Sequence, residues 1–154
     1  MIQEYLLQFV LAGLATGGFS VIFRVPVRHI PVCIVVGALG WLTECLVTEL
    51  YSSPIWGTFF AACMVGLLSD FASRICKEAS TIFVIPGILC LVPGLSIFNT
   101  MYSLLGDDIA KAAEIGTQTL LIAGAIAVGL LTIGAILRVI RSLIRKTVTL
   151  RDKF

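Results

Sequence analysis

Charged residues are scarce in this sequence, and the shortage limits what kind of protein it can be. Asp, Glu, Lys and Arg make up 13% of the 154 residues, whereas a soluble domain carries about 25%. Apolar residues make up 58%, and the mean hydropathy is +1.05. So few polar side chains cannot cover a surface that faces water. A soluble globular protein is therefore excluded, and the lipid bilayer is the expected solvent.

Residues that build metal sites and common active sites are also few. The chain has one histidine, His29, and five cysteines scattered singly without a CxxC pair, so the usual ligand set for zinc is lacking. We expect free thiols that pack as small hydrophobes, with no metal and no cofactor. Neither G-x-S-x-G nor H-E-x-x-H occurs, and we predict that the chain is not an enzyme.

Long charge-free runs are present instead, and they mark the expected membrane crossings. Because one helical crossing takes about 20 residues, we predict an all-α integral membrane protein with about five spans. It forms a single transmembrane domain over residues 1–154. The expected spans lie at about 4–23, 29–50, 54–73, 81–105 and 115–138, followed by a basic cytoplasmic tail at 139–154.

The positions of the cations predict the orientation. With the first loop, the third loop and the tail inside, ten of eleven cations are cytoplasmic and Lys111 alone is outside. The positive-inside rule therefore places the N-terminus outside and the C-terminus inside. Since the cations follow this topological pattern and form no single basic face, nucleic acid is not an expected partner.

Small residues at helical spacing recur in four of the expected spans. Such residues allow helix backbones to approach closely in lipid, so they predict a compact bundle, with more helices than this chain supplies. The pairs are Gly13/Gly17, Gly37/Gly40, Ala62/Gly66 and Ala125/Gly129.

The fourth span contains two Pro-Gly pairs, Pro86-Gly87 and Pro93-Gly94, within the stretch IFVIPGILCLVPGLSIFNTMY. Proline removes an amide donor and glycine adds backbone freedom, so we predict that the helix is broken at both pairs. Discontinuous helices of this kind often carry the binding sites of transporters. We therefore predict that both pairs line a substrate path together with Ser96, Asn99 and Tyr102. A proline-kinked structural helix is the alternative.

Three acids, Glu44, Glu49 and Asp70, lie within or at the edge of expected spans. A carboxylate in the membrane is costly and is a functional candidate by default. Glu44 and Asp70 are the candidates for proton coupling. Alternatively, Glu44 reaches the outer surface or a partner subunit, and Asp70 forms an i,i+4 ion pair with Arg74. Glu49 is expected at the outer interface.

Arginines stand at the ends of the expected spans. Arg28, in the first loop, either meets an anionic substrate on the cytoplasmic side or anchors the topology, and it is included in the predicted substrate path. Arg138, Arg141 and Arg145 recur at helical spacing, and we expect them to snorkel to anionic lipid headgroups.

Two stretches resemble the threonine/serine exporter family. The run VIPGILCLVPG at residues 84–94, followed by an apolar segment and Gly106-Asp107, is similar to the hallmark of that family. The first loop, FRVPVR at residues 23–28, resembles the F-x-V-P-x-R element of its small-subunit type. Cys90 departs from the pattern, since many members have proline there, and the departure makes the expected break milder.

The resemblance implies the small chain of a two-component exporter in the bacterial inner (cytoplasmic) membrane, similar to the small chain of a bacterial succinate exporter. It implies export of threonine and serine, or of a small carboxylate such as succinate, driven by the proton gradient. Because five spans are few for alternating access, we expect a larger membrane subunit of the same exporter, or self-association. The alternative is a non-transporting scaffold or assembly subunit of another membrane complex.

Overall fold

A computed structural model describes residues 2–151 of the chain, with side chains described for residues 3–142. All regular secondary structure in this part is helical. The elements are α1 (Ile2–Ile22), a 3₁₀ turn (Val27–His29), α2 (Ile30–Tyr51), α3 (Pro54–Cys76), α4 (Thr81–Leu89), α5 (Gly94–Leu105) and α6 (Ile109–Arg151).

Four helical segments are long and apolar enough to cross a membrane, and the bent pair of α4 and α5 provides a fifth crossing if it forms one span. At about 1.5 Å per residue, α4 and α5 are about 14 Å and 18 Å long. Neither alone spans a hydrocarbon core of about 30 Å, but the two together do. The predicted all-helical membrane protein with about five spans is thus confirmed, while its orientation stays a prediction.

Helix ends follow local signals in the sequence. Pro31 and Pro54 lie in the first turns of α2 and α3. An N–H in the first turn has no carbonyl acceptor within the helix, so proline costs no hydrogen bond there. Asp108 caps α6, because its Oδ1 accepts a hydrogen bond from the N–H of Lys111 at 3.2 Å. The C-terminal ends of α1, α2, α3 and α5 are followed by residues in the left-handed backbone conformation, with φ of 48° to 57°. These residues are Arg24, Ser52, Lys77 and Asp107.

The bundle is built around α2, α3 and α4. Helix α1 packs against α2 and α4, α6 packs against α3, and α5 packs chiefly against α6. The main apolar cluster contains Val36, Ala61, Ala62, Val65, Leu91 and Ile126. A second cluster, towards the end of α3, contains Val25, Cys33, Ala72 and Phe83.

The predicted small residues lie where helices approach most closely. A Cβ added to Gly37 of α2 would lie 2.0 Å from the Thr16 hydroxyl oxygen of α1. One added to Gly66 of α3 would lie 2.5 Å from an Ile133 methyl group of α6. One added to Gly129 would lie 2.8 Å from the Phe59 carbonyl oxygen. These helices therefore meet at distances that a larger side chain would prevent.

The last helix is longer than the predicted span at 115–138. It begins at Ile109 and continues through Arg151, so most of the predicted tail is helical, and its residues 152–154 lie outside the described residues. A charge-free run marks only the part of a helix that lies in hydrocarbon. The charged turns around Lys111 and Arg141 extend the helix beyond this run at both ends.

Candidate functional site

The fourth segment is broken once, between Leu89 and Gly94, where α4 and α5 meet at an angle of 49°. Pro93 has no N–H, so the Leu89 carbonyl lacks its helical donor. The N–H of Gly94 donates to the Val92 carbonyl at 2.7 Å and is thereby lost to the Cys90 carbonyl. The unwound residues 90–93 thus release two carbonyl oxygens from helical bonding.

The first Pro-Gly pair does not break the helix, contrary to the sequence prediction. Pro86 and Gly87 are buried inside α4. Pro86 deprives the Ile82 carbonyl of its donor, and the Cys33 thiol of α2 donates to that carbonyl at 3.7 Å. A Cβ at Gly87 would lie 3.0 Å from Val65 of α3. Packing and the thiol together keep this pair helical, so its role here is close helix contact.

Cys90 links the break to α1. Its sulfur lies 3.0 Å from the Thr16 hydroxyl and 3.5 Å from the Ala12 carbonyl oxygen. A proline at this position would lose these contacts with α1. An apolar cavity of about 360 Å³ adjoins Cys90, with Gln8 as its polar lining residue and Trp41 on its wall.

The predicted polar residues of α5 do not gather around the first Pro-Gly pair. Ser96 and Asn99 are half-buried, and Tyr102 is 70% exposed and stacked on Phe98. Because α5 bends away from α4 towards α6, these side chains follow the helix that continues from the break. The structure therefore brings the α5 residues together with Pro93 and Gly94 as one continuous segment.

The first loop and Pro86 border one cavity of about 200 Å³, which Arg24 and Pro26 line from the loop. The two motifs that carry the family resemblance thus lie side by side. Arg28 is exposed in the 3₁₀ turn that follows.

Glu44 is directed from α2 towards α3. Its Oε1 accepts a hydrogen bond from the Thr58 hydroxyl at 3.0 Å, whereas its Oε2 is buried without a partner among the described residues. Thr48, one turn along the same helix, also has a buried hydroxyl without a described partner. A Cβ at Gly57 would lie 2.0 Å from that hydroxyl oxygen, so α3 covers it closely. Unlike Glu44, Glu49 is exposed and accepts a hydrogen bond from Tyr5.

Asp70 forms the ion pair with Arg74 that the i,i+4 spacing predicts, at 3.0 Å from Nε to Oδ2. Its other oxygen contacts Arg141 of α6. The side chain of Asp70 is 9% exposed, and this buried carboxylate pairs with two guanidinium groups. The pair with Arg74 lies within α3, and the contact with Arg141 joins α3 to α6. Arg141 is therefore held by the protein, where the sequence had suggested a lipid headgroup as its partner.

The loops that carry the cations meet at one end of the bundle. His29 Nε2 lies 3.7 Å from Glu78 Oε1, which joins the first loop to the third. The pair of Asp70 and Arg141 joins the end of α3 to the basic part of α6. This is the clustering that the positive-inside rule requires of one membrane face.

Long apolar helices define the chain as a multi-pass membrane protein. A broken helical segment, as formed here by α4 and α5, is a feature that many transporters share. A sequence profile described as "Threonine/Serine exporter, ThrE" matches residues 8–136. The chain belongs to the threonine/serine exporter family, as its motifs predicted. Membership in a transporter family is consistent with the prediction that it is not an enzyme.

One relative is a protein of Haemophilus influenzae described as "Uncharacterized protein". It is 27% identical over 102 residues, which are 66% of this chain and 34% of the relative. The chain thus spans about a third of that relative's length. No solved structure matches the chain.

Sequence reasoning did not find three parts of this arrangement, namely the contact of Thr16 with Cys90, the buried Thr48 hydroxyl, and the contact of Asp70 with Arg141. Thr48 carried a local signal, because it lies one helical turn after Glu44. The other two contacts join residues more than 70 positions apart, and no local pattern indicates them.

Proposed function

We propose that this chain is the small subunit of a two-component exporter in the bacterial inner membrane. Its substrates are small metabolites, either threonine and serine or a small carboxylate such as succinate. The observation that supports the proposal most is the break at residues 90–93, which frees backbone carbonyls in a member of an exporter family. Such carbonyls and the adjoining helix ends are suited to bind polar groups of a substrate.

The substrate path in this proposal follows the break and α5. Pro93 and Gly94 create the opening, and Ser96, Asn99 and Tyr102 supply neutral hydrogen-bonding groups along the next turns. Pro86 and Gly87 support the path from behind, since they fix α4 against α2 and α3. Arg28 attracts anionic groups at the end where the cations cluster.

A second membrane protein completes the transporter. Alternating access usually moves one repeat or bundle against another, and four or five spans give one such bundle. The larger size of the Haemophilus influenzae relative supports this reasoning. Helix α5 offers a broad exposed apolar face to a larger subunit or to a second copy, with Leu95 74%, Phe98 63% and Leu105 87% exposed.

Of the two acids predicted for proton coupling, Glu44 is the better candidate. Two guanidinium groups already pair with Asp70. Glu44 has no Lys, Arg or His within ion-pair distance among the described residues, and one of its oxygens is buried without a partner. A buried carboxylate without a cationic partner is costly when it is charged. Binding a proton at Glu44 removes that charge from the bundle interior, and releasing the proton restores it.

Efflux of labelled threonine, serine and succinate tests the proposal. Cells that contain this chain and its partner should export at least one of them, and cells without the chain should not. Pro93→Ala restores an amide donor at the break, and Gly94→Leu adds bulk where a Cβ meets no atom within 4 Å. Both variants should insert normally and lose export.

Two variants serve as matched controls. Pro54→Ala changes a proline at the start of α3, and Gly18→Leu adds the same bulk on α1, where a Cβ also meets nothing within 4 Å. Both should export normally. Unchanged efflux without the chain, together with loss of another membrane complex, would establish the scaffold alternative instead.

A further inference from the structure

A cavity of about 300 Å³ lies between α3, α4 and α6, at the end of the bundle where the cations cluster. Its walls are largely apolar, with Val84, Ile133 and Leu137 among them. Its polar lining consists of Ser80, Asp70, Arg138 and Arg141. The volume is at the lower end of the range for small-molecule sites, about 300–1,000 Å³.

The charges around this cavity do not balance. Asp70 is the one acid among the described residues that line it, and it already pairs with Arg74 and Arg141. Arg138 lines the cavity as a further guanidinium, and no acidic side chain within residues 3–142 lies within ion-pair distance of it. The cavity lining therefore carries two guanidinium groups and one carboxylate, which Arg74 also pairs from outside the lining, and the surplus is positive.

We propose that this cavity binds an anionic oxygen group, a carboxylate or a phosphate, through Arg138. A guanidinium binds such groups with two parallel hydrogen bonds, and the Ser80 hydroxyl is a further donor on the same lining. Arg138 is an exposed residue, so an anion can approach it from outside the bundle, and the apolar walls border it. They also accommodate a short hydrocarbon body attached to the anion.

The anion has two possible sources, a free metabolite or a lipid headgroup, and both share this chemistry. A free carboxylate would make the cavity a loading site at the membrane face. This loading role rests on the proposed function, although binding itself can be measured without transport.

Binding is measured on the 154-residue chain in nanodiscs of phosphatidylcholine, with labelled succinate as the probe. In parallel, phosphatidylglycerol is added, and the molecules retained on the chain are counted by mass spectrometry. Wild type should bind one of the two probes saturably. Arg138→Gln should weaken that binding roughly tenfold to a hundredfold, the range for a lost hydrogen bond to a charged group, and Arg138→Lys should weaken it less.

A second pair of variants tests the cavity by volume. Gly134 lines the cavity and a Cβ there meets nothing within 4 Å, so Gly134→Leu should fill the space and reduce binding. Gly124→Leu makes the same change on the same helix away from the cavity, and Lys77→Gln removes one exposed cation, so both should bind as wild type does.

The two arms identify the source and decide the proposal. Succinate binding lost in Arg138→Gln assigns a free carboxylate, and phosphatidylglycerol retention lost in the same variant assigns a headgroup. The proposal is overturned if wild type binds neither probe, or if Arg138→Gln and Gly134→Leu bind both as tightly as Lys77→Gln and Gly124→Leu. Because efflux plays no part, failure here leaves the proposed export function to be judged separately.

Discussion

At the scale of residues, threonine hydroxyls show which polar groups are committed to the helices. Most helical threonines in the described chain donate to the carbonyl four residues earlier, as Thr16, Thr43, Thr100, Thr117, Thr119 and Thr132 do. Thr48 does not, and its buried hydroxyl lies one turn from the buried oxygen of Glu44. Two unsatisfied groups on one helix face are costly, which indicates a function rather than a packing role.

Replacing Glu44 tests that indication. Glu44→Gln keeps the shape and the acceptor for Thr58 but removes the exchangeable proton. We expect efflux in vesicles to lose its response to an imposed pH gradient while the protein still inserts. Glu49→Gln, at the exposed acid that Tyr5 contacts, is the control and should respond normally. A gradient response retained by Glu44→Gln would exclude Glu44 as the coupling residue.

Replacing a glycine by alanine adds one methyl group, and its effect on stability should distinguish glycines at close helix contacts from glycines in open positions. Gly37→Ala places a Cβ within 2.0 Å of the Thr16 hydroxyl oxygen, so α1 and α2 must separate. We expect a loss of about 1–3 kcal/mol in the free energy of unfolding, as for other overpacked sites. Thermal unfolding in detergent measures it. Gly18→Ala meets nothing within 4 Å and should be neutral or stabilising. Equal stability of both variants would contradict the close approach.

At the scale of elements, α3 is one of the three central helices of the bundle. It packs against α2, α4 and α6, and Asp70 near its end ties it to α6 through Arg141. Helix α5 is the opposite case, because it packs chiefly against α6 and exposes large apolar side chains. Elements with few internal contacts are the ones most able to move. The break at residues 90–93 therefore joins α4, which is packed on three helices, to α5, which is freer to move.

The tie between α3 and α6 can be measured. Asp70→Asn should lower the free energy of unfolding by about 1–2 kcal/mol, since the carboxylate is buried but both arginines are half-exposed. Arg141→Gln should lower the free energy of unfolding less in the Asp70→Asn background than in wild type, because the two residues share one interaction. Asp107→Asn, in an exposed turn, should change little. Additive losses for Asp70 and Arg141 would show that they are not coupled.

At the scale of the whole molecule, the topology depends on whether α4 and α5 together cross the membrane. One span would place the turns at Lys77 and Asp108 on opposite faces, whereas a re-entrant loop would place them on the same face. Their charges favour opposite faces, since Lys77 belongs to the cationic end and Asp108 forms an acidic turn together with Asp107.

Labelling of single introduced cysteines, in a variant that lacks the five native cysteines, decides whether α4 and α5 form one span. With a membrane-impermeant maleimide on intact cells, Asp108→Cys should react, and Lys77→Cys should react only after permeabilisation. Ser53→Cys, between α2 and α3, should react like Asp108→Cys. Labelling of Lys77→Cys alone would reverse the orientation, and protection of both Lys77→Cys and Asp108→Cys would indicate a re-entrant segment.

Much of this molecule follows from local sequence. Apolar runs and the spacing of small residues predicted the helices and several places where they touch, because these features act within one or two turns. The i,i+4 pair of Asp70 and Arg74 was predictable for the same reason. The family was predictable as well, because the V-P-x-R loop and the double Pro-Gly run are contiguous motifs.

Tertiary contacts decided the rest. The two Pro-Gly pairs look alike in sequence, yet one stays helical because the Cys33 thiol and the walls of Val36 and Val65 support it. Contact between α3 and α6 sets Asp70 against Arg141 and leaves Arg138 facing a cavity. Local sequence is enough to predict a helical membrane protein of this family, because hydrophobicity and motifs are local properties. Which proline breaks its helix, and which charge stays without a partner, depend on residues far apart in the chain that only packing brings together.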